Sequence, residues 1–226
     1  MFRVRSSIFA ALVVLLATAW AIPARAVIVT GGFSGEIFSC CGDPSGFFGT
    51  GGALDGLPIT CTFRYDTAQV PPPSFSGPVV TYQDPTFSTD FLDFSVTING
   101  RTYTFGQFPT LPGIQSIEVI NESDQLQFDF QRFGIGESEA ISLRFISDLD
   151  FLPDTSVPTH FDFVASGVGL TPGGTFSFDL ANGDSASASF SIDSGFARVA
   201  AVPEPATLSI VALGLFGLVA LRRRSA

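Results

Sequence analysis

Across 226 residues, 11 arginines and no lysine face 21 acidic residues, giving a net charge of −10 and an isoelectric point of about 4.3. That balance repels phosphate backbones and anionic headgroups, which excludes nucleic-acid binding. One histidine and three cysteines leave too few ligands for a histidine- or thiolate-rich metal centre. The chain begins with Arg3 and Arg5, then the apolar run Ile8 to Trp20, then Pro23 and the tripeptide Ala24-Arg25-Ala26. A basic start, a short apolar run and an A-x-A site predict a secretory signal peptide over 1–26, cleaved after Ala26. The 13-residue run is short of the about 20 residues that a spanning helix needs.

The exported body is expected to run from 27 to 201. It holds five arginines and 20 acidic residues, a net charge of −15. Cys61, Phe63 and Tyr65 alternate with polar residues, so Cys61 is expected to point inward. Val70 to Pro85, with Pro71-Pro72-Pro73, reads as a stiff extended connection within one domain, because the segment before it holds too few strands to fold alone. Leu92, Phe94, Val96 and Ile98 alternate with Asp93, Ser95 and Thr97. Asn99-Gly100 follows, and alternation resumes with Tyr103 and Phe105, which is a strong hairpin signal. Ile117 to Ile120 and Leu126 to Phe130 predict a second hairpin around Asn121 to Asp124. Further alternations are Ile141/Leu143/Phe145, Phe161/Phe163/Ala165, Phe176/Phe178/Leu180 and Ala186/Ala188/Phe190/Ile192. Nine or ten short strands with Gly/Pro turns predict an all-β body, an antiparallel, jelly-roll-like β-sandwich with an aromatic core.

Several side chains are chemical candidates. Export favours oxidised cysteines, so Cys61 is expected to bridge to Cys40 or Cys41 across a loop of about 20 residues. His160 precedes Phe161 and Asp162 at a strand start, but no G-x-S-x-G elbow accompanies it, so a surface histidine is expected. Asp148, Asp150 and Asp154 cluster, as do Asp179, Asn182 and Asp184. Hard oxygen ligands at such spacing suit Ca²⁺. Asp and Asn also favour turns, and neither stretch completes a calcium loop. A glycosidase-like pair of carboxylates is set by space rather than by spacing.

The chain ends on Val202-Pro203-Glu204-Pro205, the apolar run Ala206 to Leu221 and Arg222-Arg223-Arg224. The 16-residue run covers about 24 Å as a helix, close to the hydrocarbon thickness of a bilayer. The arginines hold its far end in the cytoplasm. Two prolines keep 203–205 out of helix and sheet. These three parts in this order resemble the PEP-CTERM sorting domain, here 202–226, and Phe33 to Ala68 resembles the start of β-rich bodies that accompany such tails. The resemblance implies a Gram-negative host and an exosortase, a membrane-embedded protease-transpeptidase, as partner. It implies an inner-membrane intermediate and then the cell surface or an extracellular matrix rich in polysaccharide. The expected function is therefore a non-enzymatic exported surface or matrix protein of biofilm or exopolysaccharide. The alternatives are a carbohydrate-binding module, marked by exposed aromatics in a row, and an extracellular hydrolase.

Overall fold

The computed structural model describes residues 27–200 apart from 40–41, 75–76, 84–89, 109–110, 148–149 and 166–170. The expected signal peptide and sorting tail lie outside the described residues. Every alternation named above is a strand, and 12 antiparallel strands form one sheet. In chain order they are β1 (Ile28–Ser39), β2 (Pro58–Asp66), β3 (Val79–Gln83), β4 (Leu92–Ile98), β5 (Arg101–Thr104), β6 (Gly113–Ile120), β7 (Gln125–Phe133), β8 (Ser138–Ile146), β9 (Phe161–Val164), β10 (Gly173–Asp179), β11 (Ser185–Ser191) and β12 (Ser194–Val199). A 3-10 turn, Asn121–Ser123, joins β6 to β7 where the second hairpin was expected.

Burial follows the two-residue period. On β2 the residues alternate between exposed and buried from Pro58 to Tyr65, and on β4 Leu92, Phe94, Val96 and Ile98 are all buried. Between β4 and β5, Asn99 and Gly100 have φ of 50° and 73°, the pair of positive values that a two-residue hairpin turn of this hand requires. The strand count exceeds the expected nine or ten. β1 contains Gly31, Gly32 and Gly35, which blank out an apolar period. β3 lies inside the segment expected to be a plain connection, where it pairs with β6 and Tyr82 bridges Pro73. In β12 the inward positions are the small Gly195 and Ala197.

The architecture turns on one bent ribbon. One edge of β1 pairs with β2 from Ile28 to Glu36. The other edge pairs with β12 from Val29 to Ser34, then with β11 at Ile37 and Ser39. Only Ile192 and Asp193 separate β11 from β12, so the two run as one strand that bends alongside β1. The bend needs a close approach: a Cβ on Gly35 would lie 1.8 Å from the carbonyl oxygen of Ser191. One limb of the sheet then runs through β2, β4 and β5, with β12 and β9 on the other side of β1. The other limb runs β11-β10-β8-β7-β6-β3.

The limbs meet through aromatic rings. Phe63 of β2 lies 4.9 Å from Phe128 of β7, and Phe33 of β1 meets Phe145 of β8 edge-on at 6.5 Å. Tyr103 of β5 stacks on Phe178 of β10 at 3.9 Å with 6° between the planes. Such pairs contribute about 0.5–1.5 kcal/mol each beyond the area they bury. The aromatic core anticipated from the sequence is therefore built between the limbs.

Candidate functional site

The buried carboxylates serve the fold. Asp43 is fully buried and accepts the N–H groups of Phe47 and Phe48 at 2.6 Å each, with the hydroxyls of Ser45 and Thr50 at 3.4 Å. It closes the glycine-rich loop after β1, and a buried acceptor with several donors is the arrangement that offsets desolvation. Glu139 is equally buried and accepts the Gly106 N–H at 2.9 Å and the Tyr103 hydroxyl at 3.1 Å. Burial, and then the Glu139 charge, push the Tyr103 hydroxyl above the usual tyrosine range, so it remains a donor. Gln115 accepts from the N–H groups of Phe91 and Leu92 at 2.8 Å and donates to Asp90 at 2.9 Å. Asp90 also receives the buried guanidinium of Arg132, which donates to the Leu111 carbonyl at 2.8 Å. The roles of Glu139, Gln115 and Arg132 were not visible in the sequence, because each joins residues far apart in the chain, whereas Asp43 is satisfied within its own loop.

Cys61 is inward and buried, as expected, but it is a free thiol. It stands opposite Phe33 in the β1–β2 ladder. Cys40 and Cys41 themselves lie outside the described residues. Burial pushes the Cys61 thiol far above its ordinary range, which makes it a poor nucleophile.

His160 is exposed, with Nε2 4.0 Å from Asp162 Oδ2. Asp162 is engaged by Arg198, whose guanidinium also donates to the carbonyls of Phe161 and Ala197 at 2.6 and 2.7 Å. Of the calcium candidates, Asp148 lies outside the described residues, and Asp150 and Asp179 are exposed. Asp154 accepts the N–H and hydroxyl of Ser156, which hold its carboxyl below the usual range. Asn182 and Asp184 exchange two hydrogen bonds, of 2.9 and 3.0 Å, within the turn before β11. These are turn-forming contacts. Among the described residues no group of three or more His, Cys, Asp or Glu is arranged to hold a metal ion.

The tyrosines do not form an exposed row. Tyr65 and Tyr103 are buried, and the Tyr82 hydroxyl donates to the Thr155 carbonyl at 2.9 Å. Among the described residues the exposed rings are Phe38, Phe133 and Phe196, on β1, β7 and β12. Phe38, 56% exposed, borders a shallow hollow of about 390 Å³ on the outer surface. Gly173, Gly174 and Arg144 also line it, and Ser142, Thr175 and Ser189 add hydroxyls. The strand order β1-β11-β10-β8 sets a width of about 14 Å, three strand spacings. The inward phase of Ile141, Leu143 and Phe145 already placed Arg144 outside, but no sequence signal joined it to Phe38.

The corner where the chain leaves the fold completes the geometry. The Val27 N–H donates to Thr67 Oγ1 at 3.1 Å, and the Ala200 N–H donates to the Ile28 carbonyl at 2.7 Å. Both ends of the body therefore emerge side by side. Val202 to Pro205 and Arg222 to Arg224 lie beyond this corner, outside the described residues.

In the sequence, an apolar, arginine-capped segment follows the all-β body. Residues 201–224 match the family model of the PEP-CTERM protein-sorting motif. The chain carries that motif, which implies export, membrane-linked sorting in Gram-negative bacteria and processing by exosortase, a membrane enzyme. No curated protein and no solved structure matches the chain.

Proposed function

We propose that this chain is an exported surface or matrix protein whose body is cut from its membrane span near Pro203-Glu204-Pro205. The body acts without catalysis of its own, in extracellular polysaccharide or biofilm. The sorting motif at 201–224 carries this reading. The ring contacts between the limbs support a β-sandwich body, since two sheet faces that interdigitate side chains make that architecture. The net charge of −15 suits a body that stays hydrated outside the cell. Intact-mass and peptide mass spectrometry of the protein recovered from the cell surface or medium tests the proposal. The expected mature chain begins at Val27 and lacks Ala206 to Ala226. Recovery of surface protein with the apolar run still attached refutes release.

The hollow beside Phe38 favours a second reading, a carbohydrate-binding module. An exposed ring can stack on the apolar face of a pyranose, while Arg144 and the hydroxyls donate to its oxygens. Affinity electrophoresis in a gel containing a soluble neutral glucan should retard the body, and Phe38→Ala should weaken that binding at least about tenfold, as the loss of an anchoring ring does. Equal mobility of the two proteins in gels with and without glucan removes this reading.

A further inference from the structure

Backbone pairing reaches at least to Ala200, three residues before Pro203. Ala200 is held to Ile28 by a 2.7 Å hydrogen bond, and Pro203 is the third residue after it. The apolar run begins at Ala206, so only residues 201–205 separate the folded edge from the span. From Ala200 to Ala206 the extended chain reaches at most about 20 Å. About 5–8 Å of that is taken up by the headgroup layer. A folded body of this length has a radius of gyration of roughly 16 Å. While the tail is in the membrane, the β1–β12 corner therefore lies within about 15 Å of the membrane surface.

A protease grips an extended peptide over several residues around the bond it cuts. For a cut at Pro203-Glu204-Pro205 those residues include Val199 and Ala200. Val199 is paired with Val29 across the ribbon, and Ala200 is bonded to Ile28. In their paired state, neighbouring strand backbone occupies one edge of this peptide. We infer that the β1–β12 corner is the surface that meets the membrane-embedded protease, and that the last pairs of β12 open from β1 for the tail to be cut. The inference rests on the sorting reading above. Opening is local, because terminal pairs lie at the low-stability end of a fold and Val199 is 49% exposed.

The strand register supplies the test. The Ala200-to-Ile28 bond marks 28/200 as a hydrogen-bonded pair, so 29/199 is the neighbouring non-hydrogen-bonded pair. Cα atoms in such a pair lie about 4.5 Å apart, within reach of a disulfide. In the full-length chain with Cys40→Ser and Cys41→Ser, Val29→Cys together with Val199→Cys locks the corner when oxidised. Processing is followed in membranes that contain the exosortase, by the size of the released body. The locked precursor should be cut at least about tenfold more slowly than the reduced one. Six Gly/Ser residues inserted after Ala200 should restore cutting of the locked chain, because the grip then falls on the insert. Equal rates for locked and reduced chains overturn the inference, as does a locked chain that the insert fails to rescue. Pro203→Ala, Glu204→Ala and Pro205→Ala together should stop processing in every arm. Their failure to do so overturns the sorting reading itself, a result distinct from the other two.

Discussion

Replacing Pro203, Glu204 and Pro205 together with alanine should leave the body fixed in the membrane. In the natural chain two prolines interrupt any helix that would continue from Ala206 back toward Ala200. A proline in a helix interior is less favourable than alanine by about 3 kcal/mol, so the triple alanine chain makes this stretch ready to join the span helix. The substitution removes both the side chains to be recognised and the two prolines that disfavour a helix there. Cell fractionation followed by mass spectrometry should show release falling from the bulk of the protein to a trace, with Ala206 to Ala226 still attached. Normal release of the triple variant would falsify sorting through this motif. Arg222 to Arg224 should matter differently, since they set the orientation of the span rather than the bond that is cut.

The second large effect is in the body. Gly35→Ala should destabilise the mature protein by at least about 3 kcal/mol. The added Cβ would stand 1.8 Å from the Ser191 carbonyl oxygen and 2.8 Å from its carbon. Both are backbone atoms at the point where β1 passes from β12 to β11, so the clash cannot be relieved by turning a side chain. Relief requires the ribbon to straighten, and that pulls apart the limbs whose rings make the core. For a body of this size the shift corresponds to a drop in Tm of about 6–12 °C. Thr60→Ala, on the exposed face of β2, should stay within about 0.5 kcal/mol of the natural protein and serves as the control. A Gly35→Ala midpoint in urea close to that of the control would show that the bend does not depend on this glycine.

Both effects contrast what is local with what is not. The address of the protein was legible in the sequence because it is written contiguously. A basic start, an apolar run, two prolines and three arginines act through hydropathy and charge that each residue brings with it. The strands were legible for a similar reason. Side chains on a strand alternate sides, so one-sided burial leaves a period of two in Leu92 to Ile98 or Ala186 to Ile192 wherever large apolar residues fill the inner positions. Where they do not, the signal fails. β1 was hidden by its glycines and β12 by Gly195 and Ala197, and both positions take small residues because neighbouring backbone or rings approach closely there.

The sequence by itself determined the all-β class, the inner and outer faces of most strands, the Asn99-Gly100 turn and the C-terminal sorting motif. Tertiary structure alone decided which strands are neighbours and therefore which residues meet. The pairings of β3 with β6, β8 with β10, and β1 with both β11 and β12 join segments far apart in the chain. Glu139 could be assigned no role until the packing of β5 near β8 placed donors around it. For Cys61 the pairing with β1 set Phe33 opposite it, a neighbour that spacing along the chain cannot express. The Phe38 hollow and the shared exit of Ile28 and Ala200 arise in the same way, from strands brought together by a common core. Periodicity reports the environment of a residue, whereas a site depends on the identity of its neighbours, and those are chosen by the packing of the whole sheet.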